Sequence, residues 1–286
     1  MNNTISFIQN EILKIHKKKY SKKYINKHII PIIEFILFSK HKNFLISGSQ
    51  GIGKSSLIKI ISNTLVKIYN KKVLSLSLDD YYLSKIDRSS LSIREHSLLI
   101  TRGVPGTHDI KKLLSDIKNY HKSYFPIISP IFDKLVDDIS KKKKIIKNKS
   151  DILILEGWCC GCSPINREYL YKNINELEKK FDYNFIWRNY YNNKLKNEYK
   201  ELFNLFDQKI FLKAPSFKYV LNWRLKQEVN NNSKSKKSNK MNMNEIKIFI
   251  QYYEKITKWM IKEYKKSANL VVNIDKNQKI VSLKIN

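Results

Sequence analysis

"GSQGIGKSS", residues 48–56, decides how the rest of the chain is read. It satisfies G-x-x-x-x-G-K-[ST] in full, and it follows an apolar run, "NFLISG" (43–48), that reads as a buried strand. Behind it, "KSSLIKIISNTLVKIY" (54–69) has the apolar spacing of a helix. A strand that turns through glycines into a helix N-terminus presents its backbone N–H groups to phosphate. Nucleotide binding is therefore assigned to Gly48, Ser49, Gln50, Gly51, Ile52, Gly53, Lys54, Ser55 and Ser56. In this reading Lys54 reaches the β- and γ-phosphates of ATP and the Ser55 hydroxyl binds Mg²⁺.

Outward from this loop the pattern alternates. "KVLSLSLDDYY" (72–82) reads as a second strand ending in paired carboxylates, and "DILILEG" (151–157) as a strand buried on both faces. "DQKIFLKA" (207–214) and "NLVVNI" (269–274) supply two more strands. Helices are expected over 5–20, 27–39, 109–120, 183–206, 217–228 and about 245–266, with Asp109 as an N-cap. Strands alternating with helices predict an α/β P-loop NTPase fold, a parallel sheet with helices on both faces and a lid segment. One domain is expected over 1–286: N-terminal helices to 42, a core over 43–221, a lid and mobile loop over 222–245, then a last helix and strand. The mobile part is "NNNSKSKKSNKMNMN" (230–244), which has no apolar periodicity to bury.

Composition narrows the rest. The net charge of +30 would ordinarily suggest a nucleic-acid or membrane partner. The basic residues are mostly Lys, however, and Lys, Asn and Ile crowd the chain while Gly and Ala are scarce, as an AT-rich genome dictates. Nucleic-acid binding beyond non-specific attraction is not expected. "HIIPIIEFILF" (28–38) is too short and interrupted for a membrane span, and no secretory signal is recognisable, so a soluble, cytoplasmic protein is expected. Cys159, Cys160 and Cys162 form one odd-numbered cluster, which is neither a disulfide framework nor a zinc site.

In a chain that disfavours glycine, the seven present mark backbone that needs positive φ or close approach. They fall in "GSQGIGKSS", "TRGVPGTHD" (101–109) and "LEGWCCG" (155–161), with none left over. Where Lys serves, this composition supplies Lys, so each of Arg88, Arg94, Arg102, Arg167, Arg188 and Arg224 is a candidate for a bidentate contact. Arg167 and Arg188 are expected in ordinary surface ion pairs. Asp79 stands at the carboxyl edge of the sheet, where it can take a proton from an attacking hydroxyl or reach Mg²⁺ through water. Asp80 reads as a cap for the next segment and stands beside the acceptor. Glu156 ends a fully apolar strand, a costly place for a charge without a cation, and is assigned to the metal's water shell. A GTPase reading fails: "NKSD" (148–151) precedes a strand instead of following one, and there is no D-x-x-G switch.

"GSQGIGKSS", "SLDDYYL" (77–83), "RGVPGTHD" (102–109), "PIFDK" (130–134), "LEGWCCG" and "NWRLKQE" (222–228), in this order, resemble the D-glycerate 3-kinase family. That family stands in the wider group containing uridine kinase, pantothenate kinase and phosphoribulokinase. The resemblance covers roughly residues 43–275. It implies an ATP-dependent kinase in which Asp79 is the catalytic carboxylate and Arg224 lies on the lid over the phosphates. It also places Arg102, His108, Asp109, Asp133 and Lys134 around a small-molecule acceptor, with D-glycerate the best match and pantothenate or a nucleoside the alternative. The residues agree: a small hydroxy acid needs Arg or Lys for its carboxylate and Asp or His for its hydroxyls. A less favoured reading is a decayed kinase that binds nucleic acid. The family pattern is broken after "FDK", where Ile139 in "LVDDISKKKK" (135–144) stands in place of an arginine.

Overall fold

The computed structural model describes residues 2–232 and 242–286. Its central sheet contains β1 (Asn43–Gly48), β2 (Val73–Ser77), β3 (Ile152–Gly157), β4 (Gln208–Lys213), β5 (Leu270–Ile274) and β6 (Ile280–Ile285). The strand order is β6-β5-β4-β1-β3-β2. The first five run parallel, and β6 adds antiparallel to β5 at one edge. This is the expected mostly parallel α/β sheet with helices on both faces.

Both faces are buried, and the two-residue period of a strand divides its apolar residues between two cores. Phe44, Ile46, Ile152, Ile154, Ile210 and Leu212 face one side, where they pack with the N-terminal helices and helix Lys54–Lys67. Leu45, Leu153, Leu155, Phe211 and Val271 face the other, against helices Ile110–His121 and Met243–Glu263. β1 is therefore fixed from both faces and from two flanking strands, and the phosphate loop leaves its end.

Several boundaries differ from expectation for local reasons. The second strand stops at Ser77, and a 3₁₀ turn, Leu78–Tyr81, carries both carboxylates past the sheet edge. The expected helix over 5–20 ends at His16; Lys17 has φ 56° and Ser21 caps the next helix, Lys22–His28. Ile29 then separates that helix from Ile30–Phe38. β6 was not expected, because as an edge strand it buries little besides Ile280. Helix Phe217–Asn232 outruns its expected end, and Met243–Glu263 opens with a capping box between Asn242 and Glu245. Residues 233–241 of the segment expected to be mobile lie outside the described residues. No helix among the described residues is long and apolar enough to cross a membrane.

Neither Arg167 nor Arg188 forms the expected surface ion pair among the described residues. Arg167 lies over the Tyr171 ring at the surface, 5.8 Å from its centroid. Arg188, expected in a surface pair, is instead fully buried with Asp182 and Glu178. Scarcity of arginine was the usable signal, since a guanidinium can satisfy several buried acceptors where an ammonium cannot.

Candidate active site

The phosphate loop turns through two left-handed glycines, Gly51 (φ 73°) and Gly53 (φ 96°). Gly53 caps helix Lys54–Lys67, and open space surrounds the position of its missing Cβ, so conformation alone demands glycine there. Gly51 is constrained by space as well: a Cβ would lie 2.8 Å from Trp223 Cβ and 3.2 Å from the Arg224 backbone nitrogen. The root of helix Phe217–Asn232 is thus packed directly on the loop. Gln278, from the turn before β6, donates to the Gly51 carbonyl. Ser49 Oγ and both amide atoms of Gln50 are buried without a hydrogen-bond partner among the described residues. Orphaned polar atoms beside a row of backbone donors describe a cradle that a polar ligand would complete.

At the start of the helix, Lys54 forms an ion pair with Glu156 at the end of β3. Ser77 Oγ donates to Glu156 Oε1 at 3.1 Å and Ser55 Oγ does so at 3.4 Å. Burial works against the Lys54 charge, but Glu156 and Asp79 outweigh it and the ammonium pKa is raised. Lys54 is a fixed cation between two carboxylates.

Asp79 Oδ2 accepts from Lys134 Nζ at 2.5 Å. Burial alone would push its carboxyl up; Lys134 and Lys54 reverse that and bring it down to about 2. Its neighbour Asp80 turns away to accept from the Phe132 N–H at 3.3 Å, and burial pushes its carboxyl up. Asp133 Oδ1 accepts from the Leu135 N–H at 2.9 Å within the short hairpin Phe132–Asp133/Asp138–Ile139. Ile139, at the position where the resemblance led us to expect an arginine, is 38% exposed and brings no charge.

The loop 101–109 places its candidates differently. Arg102 is paired with Asp137 and lies 5.4 Å from the Phe132 ring centroid. His108 is buried, stacked on Tyr82 at 4.2 Å, with Nδ1 2.6 Å from the Tyr199 hydroxyl. That hydroxyl also accepts from the Gly106 N–H, and which partner donates in the His108–Tyr199 bond depends on the imidazole tautomer. Burial lowers the His108 pKa to about 3, against a small opposing effect of Asp79, so the ring is neutral. Nε2 is buried without a partner among the described residues. Asp109 is exposed and caps helix Ile110–His121, accepting from the Lys112 N–H at 2.9 Å. It lines an open cavity of about 590 Å³ together with Lys112, Ile139 and Lys143, apart from the Lys54–Glu156 cluster.

Arg224 is half-buried, 5.4 Å from the Phe249 ring centroid. One helical turn further on, Tyr253 donates to the Arg102 carbonyl at 3.0 Å. Its phenol is pushed up by burial and feels the charges of Arg102, Asp79, Arg224 and Asp137. Tyr253, Tyr199, Asp137 and Ser77 were not singled out in the sequence. Ser77 and Asp137 lie within the quoted "SLDDYYL" and "LVDDISKKKK" strings, where only the acid pair was a legible hint, whereas Tyr199 and Tyr253 come alone from distant segments. The three cysteines are buried, and burial pushes their thiols up, in keeping with a packing role.

A parallel sheet whose first strand opens into this lysine-bearing phosphate loop, with carboxylates at the ends of the next two strands, is that of a P-loop kinase. No family model matches the chain. It is 31% identical over 265 residues to the probable ATP-dependent kinase TDA10 of Saccharomyces cerevisiae, covering 83% of this chain and 86% of that protein. The chain therefore belongs to the TDA10 family of ATP-dependent P-loop kinases. It is also 29% identical over 123 residues to a pantothenate kinase of Ligilactobacillus salivarius, across 43% of this chain and 39% of that one. The solved D-glycerate 3-kinase of Cryptococcus neoformans var. grubii shares the fold, with a TM-score of 0.71, 24% identity, and coverage of 100% and 98% of the two chains.

Proposed function

We propose that this kinase transfers the γ-phosphoryl group of ATP to a hydroxyl of a small hydroxy acid, with D-glycerate, giving 3-phosphoglycerate, the best match. The observation that carries this reading is Asp79, ionised and held between Lys134 and Lys54 close to the loop that bears Arg102. ATP phosphates lie along residues 48–56, with Lys54 leaving Glu156 for the β- and γ-phosphates. Asp79 orients the acceptor hydroxyl and accepts its hydrogen bond. Its low pKa makes it a weak base, suited to a loose transition state in which proton removal comes late. Arg102 takes the acceptor's carboxylate, His108 Nε2 and Asp133 serve its hydroxyls, and Arg224 meets the charge developing on the transferring group. The oxygen donors of Ser55, Asp79 and Glu156 suit Mg²⁺, which supplies neutralisation of phosphate charge when bound.

The test is a panel of acceptors with ATP: D-glycerate, pantothenate and nucleosides. Turnover of D-glycerate well above the others is expected. Preference for pantothenate would move the protein to the second reading, favoured by its partial similarity to pantothenate kinases.

A pH experiment tests the role of Asp79. With the carboxyl near pH 2, it stays ionised across the usable range and gives kcat/KM no acidic limb above about pH 4. Lys134→Ala removes the cation nearest to Asp79, so burial prevails and the folded-state pKa rises. An acidic limb raised by about two pH units or more, so that it enters the measured range at about pH 4, is expected. Lys134→Arg should keep the limb low. Identical profiles for Lys134→Ala and the unmodified enzyme would exclude Asp79 as the group that meets the acceptor hydroxyl.

A further inference from the structure

Arg102 and Arg88 share one carboxylate. Asp137 Oδ1 takes Arg102, while Oδ2 lies 2.9 Å from Arg88 Nη2. Arg88 is only 1% exposed, and its guanidinium is spent on the fold. Its Nε donates to Leu83 O at 3.2 Å, Nη1 to Ile100 O at 3.0 Å and Nη2 to Asp137 O at 2.7 Å. Asp137 itself has φ 58°, a left-handed conformation that aspartate tolerates in a tight turn. Arg88 thus grips both the backbone and the side chain of Asp137, and this buried charge has Asp137 as its carboxylate. A ligand acid cannot displace Asp137 without stranding Arg88.

We propose that Asp137, fixed by Arg88, is a positioning residue that presents Arg102 to the carboxylate of the acceptor. The proposal rests on the reading of Arg102 as the acceptor's acid-binding group. Arg102 is flanked on one side by Asp137, with the Phe132 ring 5.4 Å from its centre, and the Tyr253 hydroxyl holds its backbone carbonyl. One carboxylate between two guanidiniums leaves a net single positive charge, matched to a monocarboxylate acceptor. The arrangement also explains how the site keeps a directed guanidinium although Ile139 stands where the resemblance led us to expect an arginine. A positively charged side chain that is already immobilised loses less freedom when the acceptor binds.

The experiment uses steady-state kinetics of the full chain with D-glycerate and ATP, on two variants of opposite electrostatic character. Asp137→Asn removes a negative charge; Arg88→Lys keeps the positive charge but loses the fork that grips Asp137. Positioning predicts that both raise the KM for D-glycerate, by about tenfold, with the KM for ATP unchanged within about twofold. In an Arg102→Ala background, Asp137→Asn should have no further effect on the acceptor KM, because its influence runs through Arg102. If Asp137→Asn lowers the KM for D-glycerate, Asp137 competes with the acceptor and the proposal is overturned. Equal changes with and without Arg102 overturn it as well, leaving a structural role only. If the unmodified enzyme does not turn over D-glycerate, or Arg102→Ala leaves its KM unchanged, the acceptor reading itself falls and takes this inference with it. Should Arg88→Lys fail to fold, Asp137→Asn and the Arg102→Ala background decide the matter alone.

Discussion

Lys54→Ala is expected to lower kcat by about a thousandfold or more while the protein stays folded. The side chain is the cation of the phosphate loop, with Glu156 as its partner and Asp79 near enough to help hold its charge. Without it, the negative charge that spreads over the transferring group meets no ammonium at that point. Stability should change less, because Glu156 retains the Ser77 and Ser55 hydroxyls and the glycine-capped helix does not depend on the lysine head group. Lys54→Met provides the control, since it keeps the aliphatic stem and removes only the charge. Both variants should show the circular dichroism of the unmodified protein and an ATP affinity reduced less than kcat. Retained turnover in either would remove Lys54 from phosphoryl transfer and with it the proposed mechanism.

What the sequence makes legible follows from how locally each feature is encoded. β1, its loop and its helix are contiguous, so the strand, the left-handed glycines and Lys54 are all read from one short string. β3 is read as buried on both faces, and its two sets of alternating residues do fill separate cores. Asp79 and Glu156 are visible because they end apolar runs, where a charge needs a reason. The walls of the acceptor side are less legible, because they are assembled from single residues far apart in the chain. Asp137 meets Arg102 and Arg88 from the turn of a hairpin, Tyr199 reaches His108 from a π-turn, and Tyr253 reaches Arg102 from the last α-helix. None belongs to a periodic pattern. β6 escapes for the opposite reason: it is local, but an edge strand with few buried residues has almost no hydrophobic signature.

Asp182→Ala is expected to destabilise the protein by about 3–5 kcal/mol, the cost of breaking a buried ion pair from one side. Asp182 and Arg188 are both 0% exposed. The carboxylate accepts from Arg188 Nε at 2.6 Å, from the Trp187 N–H at 2.8 Å and from the Arg188 N–H at 3.2 Å. It therefore neutralises a guanidinium and also caps helix Ile186–Lys194, whose own N-cap residue, Phe185, offers no side-chain cap. Arg188 Nη1 reaches Glu178 Oε2 at 3.5 Å, and Lys255 Nζ approaches the same oxygen at 3.3 Å. Two acids and two bases thus form one balanced buried group, and removal of Asp182 leaves it with an excess positive charge in low dielectric. Arg188→Met alone should also destabilise, because it strands two carboxylates against one ammonium. The Asp182→Ala/Arg188→Met double variant should cost less than the sum of the two, since the remaining Glu178–Lys255 pair is again neutral. Lys255 lies on helix Met243–Glu263, where it also donates to the Tyr169 and Lys172 carbonyls at 2.9 and 2.6 Å. The same helix holds Tyr253 on the Arg102 carbonyl and Phe249 beneath Arg224, so loosening its anchor should raise the acceptor KM well before the protein unfolds. Urea unfolding midpoints with an unchanged slope, together with acceptor KM values at a fixed low temperature, measure both effects. A shift of less than about 1 kcal/mol for Asp182→Ala would mean that water reaches the guanidinium and that this cluster is not the anchor of the layer beneath the acceptor site.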